Sequence, residues 1–292
     1  KRAIDFISGT NLTNVVLTWN FPESFGASAF NGCSGITSIN IPNSVQTIGT
    51  YALYNCSGLT NLTIQEGIVT IEAYAFSNCD ALTSVIIPAS ITTFKTYVFA
   101  NCDSLEKVTF AEGAIKTGEY TFSKCPALKE VVLPSTFKTI GTYCFEECTA
   151  LEKIDLPESL LTISKYAFYE CTSLKEIVIP GNVKTVSQYA FYYCTGLEKV
   201  VLGNGVQKLE EGVFKYCTSL ADVTFSASVT IIGTDVFLYC YGLTSFTVDN
   251  DNPKYSSNEE GVLFNKDKTS LILYPIGKPE TCYEIPDGVK TL

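Results

Sequence analysis

Tyr166-Ala167-Phe168-Tyr169-Glu170-Cys171-Thr172-Ser173-Leu174-Lys175-Glu176-Ile177-Val178-Ile179-Pro180 contains two apolar rhythms. Phe168, Cys171 and Leu174 lie three residues apart, whereas Leu174 is followed by Ile177 and Ile179, which lie two apart. A spacing of two places every second side chain on one face, as a short strand requires, and Pro180 then ends the ladder because it has no N–H to donate. Upstream, Ala167, Phe168 and Cys171 fall at i, i+1 and i+4, on one face of a helical turn, with Tyr166, Tyr169 and Glu170 on the other. The segment therefore predicts one short helical or 3₁₀ turn followed by one strand.

The same unit recurs on both sides at a fixed interval. Cysteine stands at Cys33, Cys56, Cys79, Cys102, Cys125, Cys148, Cys171, Cys194, Cys217 and Cys240, every 23 residues. Three residues before each is an aromatic or leucine, from Phe30 and Leu53 through Phe76 to Phe237, and three after it is an apolar residue, from Ile36 to Leu243. Pro42, Pro88, Pro134, Pro157 and Pro180 close the strand pattern at the same place. Such periodicity marks a repeat array. One unit cannot bury its own apolar face, so units must stack, with equivalent strands parallel and about 4.8 Å apart.

The pattern A-F-x-x-C-x-x-L followed by I-P, as in Ala75-Phe76-Ser77-Asn78-Cys79-Asp80-Ala81-Leu82 and Ile87-Pro88, resembles the BspA-like, treponemal-type leucine-rich repeats of bacterial surface proteins. That resemblance covers roughly residues 26–248. It implies an α/β fold: a right-handed leucine-rich repeat solenoid with a parallel sheet on the concave face and short helical or 3₁₀ turns on the convex face. It also implies a cell-surface or secreted location and a role in adhesion to host or microbial proteins.

Composition narrows the chemistry. The chain has 292 residues, 20 Lys+Arg against 30 Asp+Glu and a formal net charge of −10, which argues against nucleic acid or anionic lipid as a partner. Histidine is absent, which removes the commonest general base and the commonest zinc ligand. Dinucleotide-binding, P-loop, nucleophile-elbow and zinc-protease motifs are all missing. The acidic residues Asp249, Asp251, Glu259 and Glu260 lack the spacing of a calcium loop. The chain is read as a non-enzyme with no catalytic residue, metal or cofactor. It is expected to be a monomer, without a membrane-inserting segment of its own, that takes a protein or glycan ligand.

Three residue sets carry the finer expectations. The repeated cysteines read as small buried hydrophobes in an internal column, since parallel side chains on successive repeats oppose disulfide geometry. Cys144, at an alanine position, and Cys282, in the irregular C-terminal segment, have no partner evident from spacing. Outward strand positions form two charged columns, Glu106, Lys129, Glu152, Lys175, Glu198 and Lys107, Glu130, Lys153, Glu176, Lys199, Asp222, whose alternating signs favour correct register and leave little net field. Thr37, Ser38, Thr60, Asn61, Thr83, Ser84, Thr244 and Ser245 flank them with hydroxyls and amides.

Tyrosine is the third set. Tyr51, Tyr74, Tyr97, Tyr120, Tyr143, Tyr166 and Tyr189 occupy one outward position in seven successive repeats, as an aromatic ladder would. Tyr169, Tyr192, Tyr193, Tyr216, Tyr239 and Tyr241 cluster less regularly near the later cysteines. These six either pack against neighbouring turns or form a ligand-binding patch, because tyrosine combines large contact area with a polar tip.

The ends depart from the beat. Residues 1–25 read as a degenerate N-terminal repeat or cap, 26–248 as the array, 249–281 as an irregular segment with a β-hairpin insertion, and 282–292 as the start of a further, truncated repeat. The insertion Gly261-Val262-Leu263-Phe264-Asn265-Lys266-Asp267-Lys268-Thr269 is similar to one seen between repeats of the same family. Two functions remain open: a surface interaction or adhesion protein, and a spacer that projects another domain.

Overall fold

The structure, a computed structural model, describes residues 23–292 and the strand Asn14–Val16. The expected cap at residues 1–25 lies almost wholly outside the described residues. Asn14–Val16 pairs in parallel with Ser38–Ile41, Asn14 opposite Ser38, one residue more than the offset of 23 between Ser38 and Asn61.

Each coil contributes to three walls. The first carries the strands that the spacing of two predicts, including Ser84–Ile87, Lys107–Phe110, Glu176–Ile179, Lys199–Leu202, Asp222–Phe225 and Ser245–Val248. All pairings here are parallel, with Val85 opposite Val108 and Ile177 opposite Val200, so each inward side chain meets its repeat equivalent. This wall forms three separate sheets, and residues 153–156 contribute no strand. There Lys153 turns to Asp155 on its own segment, 2.8 Å away.

The second wall is built of two-residue parallel strands such as Thr47–Ile48, Thr70–Ile71, Thr139–Ile140 and Thr162–Ile163, with the isoleucines buried.

The third wall corrects the helical expectation. Among the described residues there is no α- or 3₁₀-helix, so the α/β class becomes an all-β solenoid with a turn wall. The reason lies in where the backbone donors point. Within one coil the amides of Ala52 and Cys56 close turns onto Gly49 and Leu53, three residues back, but those of Tyr51, Leu53 and Asn55 cross to Ala73, Ala75 and Ser77 of the next coil. A helix would spend every N–H internally. Here alternate donors knit the coils, and two residues per turn take the left-handed conformation that reverses the amide: Tyr51 at φ 56° and Asn55 at φ 57°, with Tyr74 (58°), Tyr97 (59°) and Tyr120 (53°) repeating the first.

Between the walls runs one continuous core. Phe76, Phe99, Phe122, Phe145 and Phe168 are buried and stack with centroids 4.9 to 5.8 Å apart. The ten repeated cysteines are fully buried and unbridged. From Cys56 onward each thiol donates to the carbonyl of the core residue of the preceding coil, Cys148 Sγ to Phe122 O at 3.2 Å and Cys171 Sγ to Phe145 O at 3.1 Å. The cysteine column is thus hydrophobic packing with a weak, directed hydrogen bond between coils. Cys144 is also buried and free, whereas Cys282 is exposed.

Beyond Val248 the repeat gives way to a three-stranded antiparallel sheet of Tyr255–Ser257, Leu263–Asn265 and Leu271–Leu273. Asn252 fastens it to the array. Its buried side chain donates to Ser226 O (2.9 Å) and Val229 O (2.8 Å) and accepts from the amides of Lys254 and Tyr255, both at 2.9 Å.

Candidate functional site

The charged columns of the strand wall pair with one another. Lys107 meets Glu130 at 2.7 Å, Lys199 meets Glu176 at 3.1 Å, Lys175 meets Glu198 at 3.3 Å and Lys129 meets Glu106 at 3.4 Å. These exposed pairs contribute little stability each, but they cancel the local field. Apolar Ile86, Val132 and Val178 stand exposed among them as single side chains on non-adjacent coils.

The turn wall is different. Tyr51, Tyr74, Tyr97, Tyr120, Tyr143, Tyr166 and Tyr189 form an unbroken ladder, with neighbouring centroids 4.4 to 5.1 Å apart and rings within 15° of parallel. Every ring inside the ladder is covered on both faces by its neighbours, so only edges and hydroxyls face outward. Its last member folds over Gly212, where a Cβ would lie 2.3 Å from Tyr189 Cε1. The Tyr189 hydroxyl donates to Glu211, and that hydrogen bond, with burial, raises its pKa to about 12. Lys165 Nζ sits 5.2 Å from the centre of the Tyr166 ring and 5.9 Å from that of Tyr189.

All six tyrosines of the irregular set come together beside the end of this ladder. Tyr169 stacks on Tyr192 (5.4 Å), Tyr192 abuts Tyr193 (6.0 Å), Tyr193 meets Tyr216 (5.3 Å), and Tyr216, Tyr239 and Tyr241 continue the chain at 4.5 and 6.0 Å. Unlike the ladder, most of these contacts are oblique: 55° for Tyr192–Tyr193, 39° for Tyr193–Tyr216, 88° for Tyr192–Tyr216 and 45° for Tyr239–Tyr241. Oblique rings leave faces uncovered. Tyr193 is 40% exposed and Tyr241 56%, the others half-buried. Tyr193, Tyr216 and Tyr239 hold φ values of 64°, 64° and 65°, so the left-handed backbone of the turn wall aims them outward. A hydrogen bond to Glu170, with burial, raises the pKa of Tyr169 and keeps its phenol a donor.

Position by position, then, the predicted tyrosines occupy one ridge. Spacing did not reveal the cavity of about 540 Å³ next to it, between the last turn of the array and the segment that follows the hairpin. Leu238 lines that cavity at the position where earlier repeats carry Tyr169, Tyr192 and Lys215, and this change of character was its signal in the sequence. Among the described residues no cluster of His, Cys, Asp or Glu could hold a metal ion, and no helix is long and apolar enough to cross a membrane.

A solenoid of 23-residue coils with one parallel-strand wall and a buried Phe-x-x-Cys-x-x-Leu column defines a leucine-rich repeat protein. The chain belongs to the family described as BspA type leucine rich repeat region, whose model matches residues 23–152 and 138–258. It is similar to a leucine-rich repeat protein from Bacteroides ovatus at 30% identity and a TM-score of 0.56, over 80% of this chain and 73% of that one. The leucine rich repeat protein of T. pallidum matches at 30% identity and a TM-score of 0.50, over 55% of this chain and 78% of its own. A leucine-rich repeat protein from Eubacterium ventriosum shares the fold at 20% identity and a TM-score of 0.50, over 96% of this chain and 86% of that one. No curated protein matches.

Proposed function

We propose that this chain is a bacterial cell-surface or secreted interaction module, and that the ridge Tyr169–Tyr192–Tyr193–Tyr216–Tyr239–Tyr241 is its adhesive surface for a protein or glycan. One observation carries the reading: most ridge rings meet obliquely, with Tyr193 and Tyr241 exposed among them, while the ring faces of the neighbouring ladder are consumed by stacking. Uncovered tyrosine faces accept the C–H face of a sugar or an apolar side chain, with hydroxyls at the rim for hydrogen bonds. The strand wall, neutralised by its own ion pairs, offers no comparable anchor. The partner is expected to bind through shape and aromatic contact, and therefore with little dependence on salt.

The test is the double substitution Tyr192→Ala and Tyr193→Ala, assayed against arrays of matrix proteins and glycans. Loss of at least tenfold in affinity is expected, with the array still folded. Unchanged binding moves the contact surface elsewhere, and an array with no binder at all favours the spacer role.

A further inference from the structure

We propose that the last coil of the turn wall is a second binding site, a dock for an apolar peptide segment of a partner protein, which accepts backbone hydrogen bonds from Asp235, Phe237 and Tyr239. The argument starts from the register of the wall. In nine successive coils three alternate amides donate to carbonyls of the following coil, from Ser28, Phe30 and Gly32 onto Thr50, Ala52 and Tyr54, to Gly212, Phe214 and Tyr216 onto Thr234, Val236 and Leu238. The equivalent donors of the tenth coil are Asp235, Phe237 and Tyr239, and among the described residues none of these amides has a hydrogen-bond partner.

The cause is the insertion. Tyr255–Ser257, Leu263–Asn265 and Leu271–Leu273 form a sheet of their own, and the chain returns at Gly277, whose amide bonds Leu243 O on the strand side. Among the described residues, the stretch that lines the turn side, Leu273, Tyr274 and Ile276, supplies no acceptor to these three amides. What remains there is the half-open cavity of about 540 Å³, walled by Phe237, Leu238, Leu273, Tyr274 and Ile276. Its volume falls within the roughly 300–1,000 Å³ of sites that enclose a ligand. Ile276 is 52% exposed at its edge.

The occupant follows from the chemistry of the edge. Three N–H groups two residues apart ask for three acceptors at the same pitch, which a polypeptide supplies through alternate carbonyls, as in β-strand addition. At all nine of these interfaces the acceptor row comes with an apolar side chain between its carbonyls, as with Phe191 between Ala190 and Tyr192. Among the described residues the cavity is thus the tenth copy, without its acceptor row, of an interface the chain makes nine times. The site shares Tyr239 with the end of the tyrosine ridge and does not use Tyr192 or Tyr193.

The probe is a synthetic peptide with the sequence of residues 187–197, carrying Cys194→Ala, which presents the Gln188, Ala190 and Tyr192 carbonyls that Tyr166, Phe168 and Glu170 bond in the array. A scrambled peptide is the control. Binding to the full chain is followed by fluorescence anisotropy, and amide exchange is read over residues 234–240. Saturable binding is expected, with exchange at Asp235, Phe237 and Tyr239 slowed at least tenfold. Ile276→Arg is expected to weaken binding at least tenfold, and so is Leu238→Lys, a fold-neutral change because Lys215 holds that position one coil earlier. Tyr192→Ala with Tyr193→Ala leaves this binding intact. The proposal is overturned by any of four results: no saturable binding, binding without slowed exchange at these amides, amides already as protected in the free chain as those of Gly212, Phe214 and Tyr216, or protection that rises with protein concentration alone, which would make a second copy the occupant.

Discussion

Removing the Asn252 amide should release the C-terminal sheet from the array while leaving the array folded. The side chain is fully buried and uses both donors and both acceptor sites: Ser226 O and Val229 O on one side, the amides of Lys254 and Tyr255 on the other. In Asn252→Ala, Ser226 O keeps the Val229 amide at 3.3 Å, but Val229 O, Lys254 N and Tyr255 N lose the bonds described here. At about 1–3 kcal/mol for each buried group left unpaired, partly relieved by water, the cost is about 3–6 kcal/mol. Local opening then becomes easier by that amount, and each 1.4 kcal/mol is about tenfold in amide exchange, so Tyr255–Ser257 and Leu263–Asn265 should exchange about 100-fold faster or more. Exchange in distant coils such as residues 120–125 should not change. Asn252→Asp sharpens the test because it preserves shape. The introduced carboxyl keeps the two acceptor bonds but presents an anion to two carbonyl oxygens, and only when protonated can it donate to one of them. Its folded-state pKa is therefore expected to rise, so the native contact is favoured below the unfolded pKa and lost as pH rises through the folded one. Exchange of Tyr255–Ser257 in Asn252→Ala within threefold of the parent, or an Asn252→Asp protein indifferent to pH between 3 and 7, would refute the reasoning.

Two further outcomes are expected. Burial, the largest cause, pushes the thiols of Cys56, Cys144 and Cys240 up to about 12, and those of Cys79, Cys148, Cys171, Cys194 and Cys217 well above their ordinary value of 9.0. Raised folded pKa values mean that the stabilisation is complete below pH 9 and falls as pH rises, by about 1.4 kcal/mol per pH unit per thiol. Eight such groups remove on the order of 10 kcal/mol per unit, so urea midpoints measured in reductant should collapse between pH 9 and 10.5; a midpoint constant across that range contradicts the buried-thiol column. In the ladder, Tyr120 holds φ 53° between Tyr97 at 4.4 Å and Tyr143 at 4.7 Å. Tyr120→Ala loses both stacks and keeps the backbone strain, whereas Tyr120→Gly loses the stacks and relieves it, so the glycine variant should be the more stable of the two by about 1 kcal/mol in urea unfolding; the reverse order would mean that the turn is not held left-handed.

Much of this was legible in the one-dimensional pattern because a solenoid places repeat equivalents on top of one another. The interval of 23 residues set the register, the spacing of two set which strand residues point inward, and the column of Cys171 and its equivalents followed from the beat alone. The alternating charges at Lys107 and Glu130 likewise became an ion pair, since parallel in-register strands set them directly opposite one another. Lys153 broke that rule because residues 153–156 make no strand.

The turn wall was misread for a physical reason. Ala167, Phe168 and Cys171 at i, i+1 and i+4 satisfy a helical turn and a chain of β-turns equally, because both bury the same side chains. What separates them is whether the amides of Tyr166, Phe168 and Glu170 bond within the coil or reach Gln188, Ala190 and Tyr192 of the next one, and that is a contact between residues 22 apart. Sequence by itself determined the repeat, its inward columns and the residues available for recognition. Only the tertiary structure decided that Tyr169, Tyr192, Tyr193, Tyr216, Tyr239 and Tyr241 form one chain of ring contacts, that Asn252 latches the insertion, and that the amides of the tenth turn have no acceptor among the described residues, because each depends on how one segment meets the next.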